Sequence, residues 1–134
     1  MTAVILTPAY SHIHHQAQRA IIRSGLPWLP LYEHSDLVRV RSLLLESGLA
    51  RHDAQRFILL DADTVPEGDA LNQLAESLEV SPDRAVWGLY PLREGERWSV
   101  HPENPELALI AIAKRQRFRI LSGGLGLCCI HRES

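Results

Sequence analysis

Apolar positions fall along the chain in two rhythms. Unbroken runs at Ala3-Val4-Ile5-Leu6-Thr7, Phe57-Ile58-Leu59-Leu60, Ala85 to Tyr90 and Leu127-Cys128-Cys129-Ile130 suit strands covered on both faces, as inside a helix-flanked sheet. Between them, apolar residues return at helical spacing. Ile13, Ala17, Ala20 and Ile21 share a face up to Ser24. Leu37, Val40, Leu44 and Val38, Arg41, Leu45 trace a second helix up to Ser47-Gly48, and Leu71, Leu74, Ala75 and Leu78 trace a third.

Punctuation agrees with this rhythm. Ser11 and Ser35 are placed to cap the first two helices, and Thr64-Val65-Pro66-Glu67 reads as a capping box for the third. Gly25 and Pro27 stop the first helix. Leu26 to Tyr32, broken by Pro27 and Pro30, makes a short edge strand. Arg93 to Pro105 reads as a loop long enough to cover a site, while Glu106 to Lys114 suits a helix or a strand. Together these elements predict a single α/β domain over residues 1–134, with three layers (α/β/α) around a mostly parallel twisted sheet.

Composition narrows the function classes. With 134 residues, 46% of them hydrophobic and 22% charged, the chain suits one ordinary globular core. A net charge of −2 argues against coating nucleic acid. Cys128 and Cys129 are adjacent, so they cannot staple distant segments, and they read as small core residues in a reducing compartment. No secretory signal precedes the first strand and no apolar run has the length of a membrane span, so a soluble cytoplasmic protein is expected.

Candidate chemistry concentrates at Asp61-Ala62-Asp63. Open α/β sheets place ligands beyond the carboxyl ends of their strands, and these acids follow such a strand. Strand alternation gives both carboxylates one facing. Two neighbouring carboxylates repel unless a cation or a proton lies between them, which points to Mg²⁺ or Mn²⁺ carrying a phosphorylated ligand. The same pattern also suits a plain turn and helix cap.

Arg39 and Arg41 fall in the first two turns of a helix, where the dipole does not favour cations. Ser122-Gly123-Gly124-Leu125-Gly126 suits a close backbone approach to a ligand or a flexible turn. His12, His14 and His15 cluster without a carboxylate or cysteine at ligand spacing, so they read as surface histidines.

Four stretches taken in order resemble the nucleotide-binding part of GT-A-fold glycosyltransferases, especially short family-2-like members. They are Val4 to Tyr10, Ser35 to Arg41, Phe57 to Leu74, and the pair Gly88 to Pro91 with Ser122 to Glu133. The resemblance implies a GT-A (nucleotide-diphospho-sugar transferase-like) fold and metal-dependent transfer of a sugar from a nucleotide-diphospho-sugar donor to an acceptor. It implies that Asp63 ligates Mn²⁺ or Mg²⁺ and that Asp61 contacts the ribose or the metal's shell. By the same resemblance Thr7, Pro8 and Tyr10 line the base pocket, Arg41 holds a phosphate or sugar hydroxyl, and Gly123 and Gly124 approach the nucleotide sugar. His101 and His131 are further metal candidates, because a few GT-A families add a histidine.

The chain departs from the family pattern in lacking an evident acidic motif for the catalytic base. Glu94 and Glu96 are candidates by position, and solvated loop charges are the competing reading. The span corresponds to a minimal enzyme, or to a module working as a homo-oligomer or with a larger partner subunit.

Two rival functions fit parts of the sequence. FILLDADTV also matches the opening pattern of haloacid-dehalogenase-like phosphatases, in which the first Asp is the nucleophile. That fold expects the motif on its first strand, a downstream lysine and a later acidic pair, whereas here the motif is mid-chain and Lys114 is the only lysine. The other rival is a non-catalytic nucleotide-sugar-binding or assembly module.

Overall fold

A computed structural model describes residues 2–32, 36–51, 53–79, 84–90 and 98–133. Its elements are β1 (Thr2–Pro8), α1 (His15–Ser24), β2 (Trp28–Leu31), α2 (Leu37–Leu49), β3 (Ala54–Leu60), α3 (Ala70–Glu79), β4 (Ala85–Trp87), β5 (Val100–Pro102), α4 (Pro105–Ala113), β6 (Ile120–Gly123) and β7 (Leu127–His131). They form two compact units, one of Met1–Gly88 with Leu125–Ser134 and one of Leu89–Gly124.

The first unit is built on a five-stranded sheet in the order β2-β1-β3-β7-β4. β1 pairs in parallel with both β2 and β3, whereas β7 is antiparallel to both β3 and β4. The sheet is therefore mixed, and the expectation of a mostly parallel sheet is corrected. The cause is local. The chain enters β7 at the edge where β3 ends, the Asp61 amide donating to the Gly126 carbonyl at 2.9 Å. A strand entering there must run back against β3, because a parallel pairing needs a crossover to the opposite edge.

Packing follows the alternation of each strand. Val4, Leu6, Phe57, Leu59 and Cys128 form one buried cluster with Val40 and Leu44 of α2. Gly48 lets α2 lie close, since a Cβ there would come within 2.8 Å of the Phe57 ring. Arg56, one residue out of phase with Phe57, donates instead to the Ala75 carbonyl of α3 at 2.9 Å. Asn72 of α3 donates to the Ser24 carbonyl at 3.3 Å, tying α3 to the end of α1.

Helix starts differ from the expected caps. α1 begins at His15, and the His14 ring accepts from the Gln16 amide at 3.2 Å, while Ser11 bonds the His12 ring. Asp36 caps α2 by accepting from the Arg39 amide at 3.2 Å, and Ser35 lies outside the described residues. The supposed capping box at Thr64 starts no helix. Thr64 instead closes a turn on Asp61, Gly68 takes a φ of 53°, and α3 begins at Ala70.

The second unit pairs β5 with β6 in antiparallel fashion and also carries α4. Glu106 to Lys114, undecided by periodicity, is helical to Ala113 because Asn104 accepts from the Glu106 and Leu107 amides and Pro105 opens the first turn. Among the described residues no helix is long and apolar enough to cross a membrane.

Candidate functional site

Asp61 leaves the tip of β3 into a turn. Its carbonyl accepts from the Thr64 amide at 3.2 Å, which puts Ala62 and Asp63 in the middle of a four-residue turn. The two acids are therefore brought together by a turn and not by strand alternation, as the sequence suggested. The His14 amide donates to the Ala62 carbonyl at 2.9 Å and ties this turn to the connection between β1 and α1.

Arg41 reaches the same place from another element. Helix α2 returns from the carboxyl end of β2 to the amino end of β3, so its first turns pass the carboxyl edge of the sheet. From the second turn, Arg41 Nη2 donates to Asp61 Oδ1 at 3.0 Å. The side chains are 19% and 29% exposed, so the pair is only partly screened by water. Arg41 Nε is buried and has no acceptor among the described residues. Arg39 is exposed on the same helix.

The electrostatics follow from this placement. Burial pushes the Asp61 carboxyl above its ordinary range, the charge and hydrogen bond of Arg41 pull it back, and the Asp63 charge pushes it up further. Asp63 itself is exposed on the turn. The arrangement holds a partly desolvated acid beside a second acid and clamps it with one guanidinium.

The other expected site residues are distributed differently. Thr7 is fully buried, and its hydroxyl accepts from the Trp28 indole at 3.0 Å, so it braces the β1–β2 edge. Pro8 is buried as well, whereas Tyr10 is 67% exposed at the end of that turn. His131 stands opposite Arg56 in the β3–β7 register. That is five residues before Asp61, about 16 Å along the sheet at the usual strand rise, so the expected His131 ligand belongs to the opposite edge.

His101, Gly123 and Gly124 belong to the second unit, where His101 pairs with Ser122 and the Gly124 amide donates to the Ser99 carbonyl at 2.8 Å. A Cβ on Gly124 would lie 3.1 Å from the Tyr90 hydroxyl, so the glycine there serves close packing within its own unit. Glu94 and Glu96 lie outside the described residues. The rings of His14 and His15 stack at 4.7 Å. Among the described residues no group of three or more His, Cys, Asp or Glu side chains is placed to hold a metal ion. Cys128 and Cys129 are buried, and burial pushes both thiols up to about 12, which leaves them unreactive.

Three contributors escaped the sequence reading: Trp28 as the partner of Thr7, the His14 amide on Ala62, and the Gly126 carbonyl on Asp61. Only Trp28 carried a signal, being an aromatic residue with a polar handle on an edge strand.

Comparison with known proteins gives a fold and no family. No protein-family model matches the chain, and no curated protein matches it. Among solved structures it is similar to the viral protein A197 from STIV, with a TM-score of 0.76 at 18% identity over 99% of this chain. The chain spans 66% of that protein's length. The expected membership of the GT-A-fold glycosyltransferases is thereby corrected: the neighbour is a viral protein, and no family match supports the assignment.

Proposed function

We propose that the carboxyl edge of β1 and β3 binds a nucleotide-diphospho-sugar with Mn²⁺ or Mg²⁺, and that the chain transfers the sugar to an acceptor. This reading rests on the site alone. The observation that carries it is Arg41 clamped on Asp61 with Asp63 on the same turn, two acids and a cation converging from separate elements.

The donor set suits such an ion. Asp61 gives one oxygen to Arg41 and has no hydrogen-bond donor at its other oxygen among the described residues. Hard divalent cations take one or two carboxylates and complete their shell with phosphate oxygens and water, so a cage of three protein ligands is not required. Asp63 and Asp61 would hold the ion, which when bound supplies Lewis-acid neutralisation of a departing diphosphate.

The remaining roles belong to the chain itself. Arg41 orients Asp61, and the planar guanidinium suits a phosphate oxygen or a sugar hydroxyl. Tyr10 offers an exposed ring on the neighbouring turn for a nucleobase. Glu94 and Glu96 stand as general-base candidates from sequence position.

Thermal melting with nucleoside diphosphates, with and without Mn²⁺, tests the site. A ligand at a hundredfold excess over its Kd stabilises by about 2.7 kcal/mol, and the expected rise appears only when nucleotide and ion are both present. Asp63→Ala should abolish that rise in a chain that circular dichroism shows to be folded. A variant that still binds would show the site to be misplaced. Mg²⁺-dependent hydrolysis of an aryl phosphate would favour the phosphatase, and donor binding without transfer to any acceptor would favour a binding module.

A further inference from the structure

Helix α4 is packed the wrong way round for a helix that ends on its own protein. Its buried residues are Ala108 and Ala111, while Leu107, Leu109 and Ile110 are exposed, Leu109 at 65%. The hydrophobic effect scales with apolar area, so a helix serving only its own core would bury the leucines and expose the alanines. Leu121 of β6, in the same unit, is 75% exposed.

Charge says what meets this face. Directly after α4 come Lys114, Arg115 and Arg119, three of the chain's 14 cations within six residues, all exposed. The rest of the described unit offers only Glu103 and Glu106 as acids. We propose that α4 and residues 114–119 form a docking surface for the headgroup region of an anionic lipid bilayer. Apolar side chains beside a basic cluster are what an interfacial segment needs, the leucines entering the acyl boundary and the cations meeting lipid phosphates. A nucleic acid would satisfy the cations and leave the leucines wet. A second copy would cover the leucines and bring two acids against three cations.

Co-sedimentation of the whole chain with vesicles tests this surface. Vesicles of phosphatidylcholine mixed with phosphatidylglycerol should pellet the protein at least roughly tenfold better than phosphatidylcholine alone, and added salt should reduce the difference. Leu109→Ser with Ile110→Ser should lose pelleting at a salt concentration where the native chain still binds. Lys114→Glu with Arg115→Glu should lose the preference for anionic vesicles. All four positions are exposed, and circular dichroism verifies that the variants fold. Equal partition onto both vesicle types, unaltered pelleting of the Leu109→Ser/Ile110→Ser chain, or a dimer that this variant dissolves would overturn the proposal.

Discussion

Arg41 Nη2 lies 3.0 Å from Asp61 Oδ1, and this contact fixes the second turn of α2 to the tip of β3. The pair is less exposed than an ordinary surface ion pair, so each partner is left poorly solvated when the other is removed. Arg41→Met keeps most of the aliphatic stem and removes the charge. It should destabilise the fold by about 1–3 kcal/mol, between the values for surface and buried pairs. Chemical denaturation measures the loss. Metal-dependent nucleotide binding should fall in the same variant, even where it remains folded.

The acidity of Asp61 gives a second prediction. Its folded-state pKa lies above the usual aspartate value of 3.8, with burial as the main cause. The unfolded chain therefore gives up this proton first as pH rises. The contribution to stability is complete below the usual value and is lost as pH rises through the raised, folded-state value. Carboxyl carbon NMR should show Asp61 titrating late. Arg41→Met should delay it further, and Asp63→Asn should bring it forward, since Arg41 lowers and Asp63 raises this pKa.

Much of this architecture was legible in the sequence, because strands buried on both faces leave unbroken apolar runs. The runs at Val4 and Phe57 locate the two central parallel strands, and the stripe through Val40 and Leu44 locates α2 against them. Strand direction was not legible. The run at Leu127 looks the same in a parallel or an antiparallel strand, and only the entry of the chain beside Asp61 decides it. The site was half legible for a similar reason. Asp61, Asp63 and Arg41 announce themselves by charge, but Thr7 reads as a ligand group until the Trp28 indole is seen to take its hydroxyl. His131 reads as a neighbour of the acids until the register puts it opposite Arg56.

Gly48 carries a prediction that runs against helix propensity. In an exposed helix interior, replacing Gly by Ala stabilises by about 1 kcal/mol. Here the new Cβ would stand 2.8 Å from a carbon of the buried Phe57 ring, which is hemmed in by Leu59, Val4 and Leu44 in the same cluster. The ring cannot swing away without disturbing β3, so overpacking of about 1–3 kcal/mol should prevail. Gly48→Ala should therefore lower the melting temperature. Pairing it with Phe57→Leu should recover part of the loss, because the smaller side chain vacates the contact.

At the edge of the sheet opposite the acids, Arg132 gathers loose carbonyls. Its Nη1 donates to Arg51 and Ala54 at 2.8 and 3.0 Å, and its Nη2 donates to Leu49 at 2.6 Å. Leu49 is the last residue of α2, so the guanidinium satisfies a helix-end carbonyl and sits where the dipole favours a cation. Hydrogen bonds from a charged donor contribute about 1.5–3 kcal/mol each, and sharing one partly exposed side chain keeps the sum near the top of that range. Arg132→Met should thus destabilise by about 2–3 kcal/mol. Arg132→Lys should restore only a fraction, because a single ammonium cannot serve carbonyls spread along the fork. Hydrogen exchange should show lost protection from the end of α2 to the start of β3, while nucleotide binding at the far edge, measured well below the melting temperature, stays unchanged.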